Sequence, residues 1–332
     1  MSKKKIMVMY ILFLMLTLAA VLFSLMHGQI SVSFEELCQV FLGGGSRAQR
    51  LLILDFRLPR ILLAVLAGGA LGLSGTILQS VTQNPLADTG IMGINAGAGF
   101  TVLLFISFIE TSGLTVFLLP AVALIGALAA AGGIVWIAYD RRKGITPVRM
   151  VLTGVVLSTG ISALTILLMT KLDSENYRFV TMWQAGSIWG SSWTFVWALI
   201  PWLFISFLLT MHKHRIYDIF QLGDEASASV GVSVGKERLL SLVLAVAVAA
   251  SAISVTGGIN FLGLIAPHIV RGLGFKKHRE LLPASLLVGG LLLVVSDTIG
   301  RLLLESGEIP AGVIVAIVGA PYFLYLLLKS EK

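Results

Sequence analysis

The chain has 332 residues, 57% of them hydrophobic and 12% charged, with a formal net charge of +7. Soluble domains carry about a quarter charged residues, and a soluble fold of this size would need more polar surface than these residues supply. Composition therefore excludes a water-soluble globular enzyme and points to an all-α integral membrane protein. Cys38 is the single cysteine, so an internal disulfide or a thiolate metal cluster is excluded as well. His212 and His214, beside Lys213 and Arg215, read as a basic membrane-edge cluster rather than as metal ligands.

A spanning helix needs roughly 20 predominantly apolar residues, and the apolar runs predict about ten spans within one domain, residues 1–332. The first covers about 6–27; its apolar run exceeds the roughly 7–15 residues of a secretion signal's core, so it reads as a retained helix. A capping-box spacing, Ser33 to Glu36, predicts a short surface helix at about 34–42. Further spans follow at about 60–80, 90–108, 114–138 and 149–170. A segment at about 172–192 carries Trp183, Trp189 and Trp193, a residue type favoured at the membrane–water interface. The remaining spans lie at about 193–211, 238–256, 258–272, 281–304 and 310–328.

Basic residues accumulate on the cytoplasmic side. With the N-terminus inside, Lys3–Lys5, Arg141–Lys143 with Arg149, Lys213 with Arg215, Lys236 with Arg238, the group from Arg271 to Arg279, and the tail residues Lys329 and Lys332 all fall inside. Of the 24 basic residues only Arg47, Arg50, Arg57, Arg60, Lys171, Arg178 and Arg301 remain outside. The split predicts an even number of spans with both termini cytoplasmic. It makes the positive charge a topology signal, with lipid and not nucleic acid as the surrounding partner.

Glycines, 35 in all, concentrate in "AGGALGLSG" at 67–75 and "GIMGINAGAG" at 90–99, where small residues let membrane helices approach closely. A faint internal echo at a shift of 222 residues pairs Gly68, Ser74, Thr76 and Gly97 with Gly290, Ser296, Thr298 and Gly319; inverted repeats of this kind occur in transporters. "TQNPLADTG" at 82–90 breaks two spans, and Pro85 disfavours helix at Asn84. Such a break is either a tight turn or an element lining a path, because irregular backbone at membrane depth survives only inside protein or beside water. Asp297 is the clearest ionisable residue inside a span, so it either binds a driving ion or pairs with a neighbour. "GVSVGKE" at 231–237 lacks the spacing and the Ser or Thr of a phosphate-binding loop, so the chain is not expected to hydrolyse ATP.

The segment Gln221–Leu239, inside the cytoplasmic stretch of about 216–237, is polar and rich in small residues. Asp224 and Glu225 suit the first turn of a short helix, the small residues from Ala226 to Ser229 keep it slender, and Gly231 suits its end. A second short turn is expected after Ser233. The segment reads either as a solvated loop or as a slender foot that enters a groove on a partner.

"LGDEASASVGV" at 222–232 resembles the cytoplasmic coupling segment of the FecCD family, the permeases of type II ABC importers for iron-siderophores, haem and cobalamin. "FRLPRILLAVLAGGALGLSGTILQSVTQNPLADTGIMGINAGAGF" at 56–100, "GGINFLGLIAPHIVR" at 257–271 and "EIPAGVIVAIVGAPYFLYLL" at 308–327 are similar to further family blocks, and "WQAGSIWGSSW" at 183–193 fits the siderophore branch. The resemblance implies a cell-membrane importer in which two permease subunits, identical or paralogous, form a path. Two separate ATPases, carrying the ATP and magnesium, sit beneath, and a binding protein docks outside; no cofactor is expected on this chain. It further implies that Gly223, Asp224, Glu225, Ala226, Ala228 and Gly231 contact the ATPase, and that Arg57, Arg60 and Arg301 dock the binding protein. Asn84 and Leu86 match positions near the cytoplasmic gate, whose other side falls at Pro147 and Val148; there the chain departs from the small hydroxyl residues of the cobalamin branch. A ferric siderophore is the expected cargo, with haem or cobalamin as the alternative within the family. Two other classes, an ion-coupled secondary transporter and a membrane-embedded enzyme, would need paired intramembrane acids or a converging set of reactive side chains; the chain offers mainly Asp297 to the first and an isolated His268 to the second.

Overall fold

The computed structural model of the chain describes residues 2–90, 93–109, 118–140, 144–188, 190–304 and 307–330. Among them the chain is helical almost throughout. In order the helices are α1 (Lys3–Met26), α2 (Phe34–Phe41), α3 (Arg47–Arg50), a π-helical stretch Leu51–Arg57 that runs into α4 (Leu58–Val81), α5 (Ile94–Phe108), α6 (Leu119–Ala138), α7 (Pro147–Met169) and α8 (Ser174–Gln184). Then come α9 (Trp193–His212), α10 (His214–Phe220), α11 (Asp224–Ser229), α12 (Val234–Thr256), α13 (Leu262–Gly272), α14 (His278–Leu302) and α15 (Ala311–Ser330). A two-residue antiparallel ladder pairs Tyr139 with Ile145 and Asp140 with Gly144. Arg141–Lys143, Trp189, Lys332 and the side chains of Pro147 and Lys329 lie outside the described residues.

Among the described residues seven of these helices are long and apolar enough to cross a bilayer; α5 is a shorter apolar helix, and α15 is apolar over Ala311–Leu324. The second crossing is longer than the expected 60–80, because helix continues unbroken from Arg47 to Val81. Two others start later than their hydropathy. The expected 90–108 begins at Ile94, behind a left-handed Gly93, and the expected 258–272 begins at Leu262, behind Gly257 and a left-handed Phe261. At 1.5 Å per residue α13 is only about 16 Å long, half a bilayer. The expected turn after Ser233 is instead the first turn of α12.

The core forms around α4, which is apolar all round and buried at every position from Ala67 to Val81. It packs on α14, α12, α13 and α9, while α5 packs on α6 and α7. The glycine-rich run is what permits this. A Cβ on Gly72 would lie 2.4 Å from the Ser285 carbonyl oxygen, and one on Gly75 only 1.8 Å from that of Gly263. Gly68 meets Gly289 and Gly72 meets Ser285, so α4 and α14, the two helices that open the faint internal echo, run antiparallel in direct backbone contact. α1 and α7 in contrast are exposed along most of their apolar length, as lipid-facing or partner-facing helices are.

Candidate functional site

At the end of the molecule where α4 begins, four elements bring charges together. Arg60 donates from Nε to both oxygens of Asp297, at 3.0 and 3.1 Å, and from Nη2 to Oδ1 at 2.7 Å. Its Nη1 reaches Glu308 at 2.8 Å. Arg301, one turn beyond Asp297 on α14, donates to Asp297 Oδ2 at 3.1 Å, to Ser24 Oγ at 2.5 Å and to the His27 carbonyl at 3.5 Å. Arg57 donates to the Leu25 carbonyl at 2.6 Å and to that of Ile30. Arg57, Arg60, Arg301 and Glu308 line one cavity of about 180 Å³ with Gly28 and Phe56. The three arginines expected from sequence therefore converge, yet they differ. Arg60 and Arg301 share the carboxylate of Asp297, while the acceptors of Arg57 among the described residues are carbonyls. Among the described residues three guanidiniums face two carboxylates, leaving one positive charge over. Asp297 is the neighbour-paired residue of the two readings open from sequence; Glu308 and Ser24 are partners that sequence did not single out.

At the opposite end, where α4 ends, the polar foot takes shape. Asp224 begins α11 and its carboxylate receives Arg238 at 2.6 and 3.0 Å. Gln83 donates to Asp224 Oδ1 at 2.9 Å and to the Phe220 carbonyl at 3.0 Å. Arg238 also donates to the Val81 carbonyl at 3.3 Å and lies over the Phe220 ring. The Arg238 hydrogen bonds, against the opposing effect of burial, hold the Asp224 carboxyl below the usual carboxylate range. Ser227 is buried and bonds back to the Gly223 carbonyl at 2.6 Å. Gly223 and Gly231 have φ of 91° and 87°, conformations in which glycine is at ease. Glu225, Ala228, Leu222 and Val230 are exposed, and Ala226 is half-buried. Six residues expected to act together thus form one small helix with a polar root and an exposed tip. Arg238 and Gln83, which root it, were visible in sequence only as a topology charge and a loop amide.

The loop between α4 and α5 folds back along the bundle. Asn84 Oδ1 accepts from the Leu86 backbone at 2.9 Å, and Leu86 packs against Leu264 and Ile265 of α13. Asp88, 3% exposed, accepts from the Phe261 N–H at 3.1 Å, so the loop tethers the residue that precedes α13. Asn95 at the start of α5 donates to Asn260 at 2.7 Å and to the Ile259 carbonyl at 3.3 Å. Two helix N-termini, those of α5 and α13, are therefore joined through polar side chains. Val148 lies at the start of α7 and is 71% exposed. Nearby, His278 Nε2 lies 2.6 Å from Ser80 Oγ, and its Nδ1 lies 2.8 Å from Asp218. The Ser80 oxygen also lies 2.7 Å from the Thr76 carbonyl, so this row of side chains braces α4, α10 and α14 against one another. Burial pushes the Asp218 carboxyl up, but its His278 hydrogen bonds outweigh that and hold it low.

This arrangement is that of an all-helical, multi-pass membrane protein with a polar foot at one end and an arginine cluster at the other. The model of the FecCD transport family matches residues 16–329, and the chain belongs to that family. It is 41% identical to the iron(3+)-hydroxamate import system permease protein FhuG of Bacillus subtilis (strain 168), over 99% of both chains. It is 35% identical to the Fe(3+) dicitrate transport system permease protein FecD of Escherichia coli (strain K12), over 97% of this chain and 98% of the other. Among solved structures it is similar to the inward-facing conformation of a metal-chelate type ABC transporter, with a TM-score of 0.83 and 27% identity over 96% of this chain and 97% of that one.

Proposed function

We propose that this chain is the permease subunit of an ATP-driven importer of ferric siderophores in the cell membrane, one half of a path completed by a second permease. The observation that carries the reading is the end-to-end likeness to the hydroxamate permease, with the foot and the arginine cluster intact at opposite ends of α4. Ten crossings follow if α15 spans along its 20 residues and α5 and α13 each complete one with the help of adjoining backbone, and both termini then lie on the foot side. Tyr10 near the start of α1 donates to the Glu280 carbonyl at the start of α14, which supports a common side for the first helix and the foot.

In this reading an ATPase, which holds the ATP and magnesium, grips Gly223–Gly231. Its movement passes through Asp224, Arg238 and Gln83 to the end of α4, and from there into the loop that carries Asn84 and Leu86. That loop and the start of α7 at Pro147 and Val148 are the gate, closed against the second permease. At the other face, Arg57, Arg60 and Arg301 receive acidic groups of the binding protein, the surplus positive charge steering the encounter. No step of this cycle uses a reactive group on this chain, so it acts as a transport subunit and not as an enzyme. Iron chelates are favoured over haem and cobalamin because the relatives named above handle hydroxamate and citrate iron. An ion-coupled mechanism is disfavoured because two guanidiniums already occupy Asp297.

The test is reconstitution. The chain is purified with its ATPase and binding protein, placed in vesicles and supplied with radioiron as ferric hydroxamate or citrate. Uptake should require ATP and all the partners. Uptake by the chain alone, driven by a proton or sodium gradient, would overturn the reading.

A further inference from the structure

Beside the foot lies a cavity of about 420 Å³, lined by Gln79, Ser80, Gln83, Pro85, Gln221–Gly223 and Arg271. Arg271 ends α13 and is half-buried; its Nη1 donates to Gln79 Oε1, while Gln79 Nε2 turns to the Gly263 and Leu264 carbonyls, both at 3.4 Å. A guanidinium has five N–H donors, and among the described residues Arg271 meets one neutral acceptor and no carboxylate. Such burial without a counter-charge is costly. Of the acids on the neighbouring α10 and α11, Asp218 is engaged by His278 and Asp224 by Arg238. Lys276, Lys277 and Arg279, which follow α13 in the chain, are exposed. No lining residue is acidic among those described.

We propose that Arg271 is a second anchoring point for the ATPase, taking the carboxylate of an Asp or Glu that the ATPase carries beside its groove for the foot. This rests on the reading of α11 as the foot. The cavity's lining includes Gln221–Gly223, the residues that lead into α11, so whatever grips the foot lies beside the cavity. A carboxylate matches the forked geometry of a guanidinium through two parallel hydrogen bonds, and the cavity admits a side chain without movement of either helix. The pair would tie the ATPase to α13, whose other end is held by Asp88 of the gate loop. Foot and gate would then be linked by two routes, through α4 and through α13.

The experiment uses the assembled complex. Arg271→Lys keeps the charge and offers a primary amine, which a carbodiimide joins to a contacting carboxylate. Mass spectrometry should find position 271 joined to one acidic residue of the ATPase, and Arg271→Gln should weaken ATPase retention about tenfold or more. In parallel, Ala228→Cys is paired with cysteines in the ATPase groove. If Ala228→Cys cross-links while Arg271→Lys joins nothing in the ATPase and Arg271→Gln retains it as before, the anchoring proposal is overturned and the foot stands. If Ala228→Cys also fails, the reading of the foot falls, and this proposal with it.

Discussion

Asp297 holds two arginines from two helices, and its own side chain is 2% exposed. Removing it leaves Arg60 and Arg301 facing each other inside the protein. Breaking one partner out of a buried ion network costs roughly 3–5 kcal/mol. Asp297→Ala should therefore lower the thermal midpoint in detergent sharply, and unchanged melting would show that the network carries no stability. Asp224 behaves differently because its side chain is 48% exposed. Its carboxyl is held low by Arg238, so its contribution is present above the unfolded value near pH 4 and is lost as pH falls through the folded value. Amide exchange of residues 224–231 should stay slow from about pH 6 to about pH 4 and quicken below, once corrected for the intrinsic rate; Asp224→Asn should remove that pH step.

Among the elements, α4 depends on having no side chains where it meets α13 and α14. Gly75→Ala would place a Cβ 1.8 Å from the Gly263 carbonyl oxygen, and backbone cannot yield as a flexible side chain does. Gly132→Ala on α6 meets nothing within 4 Å. The first should reduce the yield of monodisperse protein severalfold and the second should leave it unchanged, read by size-exclusion chromatography at equal expression. The same close contact explains why α13 can be so short: its first turn is fixed by Gly75 on one side and Asp88 on another, so it does not need the length of a free-standing membrane helix.

For the whole molecule, the arginine cluster joins fold to assembly. Arg60 and Arg301 are committed to Asp297, so replacing all three arginines by glutamate would break the fold together with any docking. Arg57 is the cleaner probe. Arg57→Gln can still donate to the Leu25 carbonyl but removes a charge that no carboxylate among the described residues offsets. Binding-protein affinity should fall by about tenfold, mainly through association, with a shallower dependence on salt. Equal affinity and equal salt dependence would remove Arg57 from the docking surface.

Much of this protein is decided locally. A run of about 20 apolar residues becomes a helix wherever it lies, so most helices fell where their hydropathy placed them, and the Ser33–Glu36 capping box and the foot at Asp224–Ser229 followed from side chains within a few positions of each other. Hydropathy failed where backbone paired over a distance. The starts of α5 and α13 were set by Asp88, Asn95 and Asn260, acting between segments more than 160 residues apart. Which arginine is structural and which is left with surplus charge rests on Arg60 meeting Asp297 across 237 positions. Local chemistry sets what each segment can be, because helix formation and capping act over one or two turns. The charges and the half-length helices were decided by tertiary structure alone, because an ion pair or a capped terminus exists only once the fold has brought its two halves together.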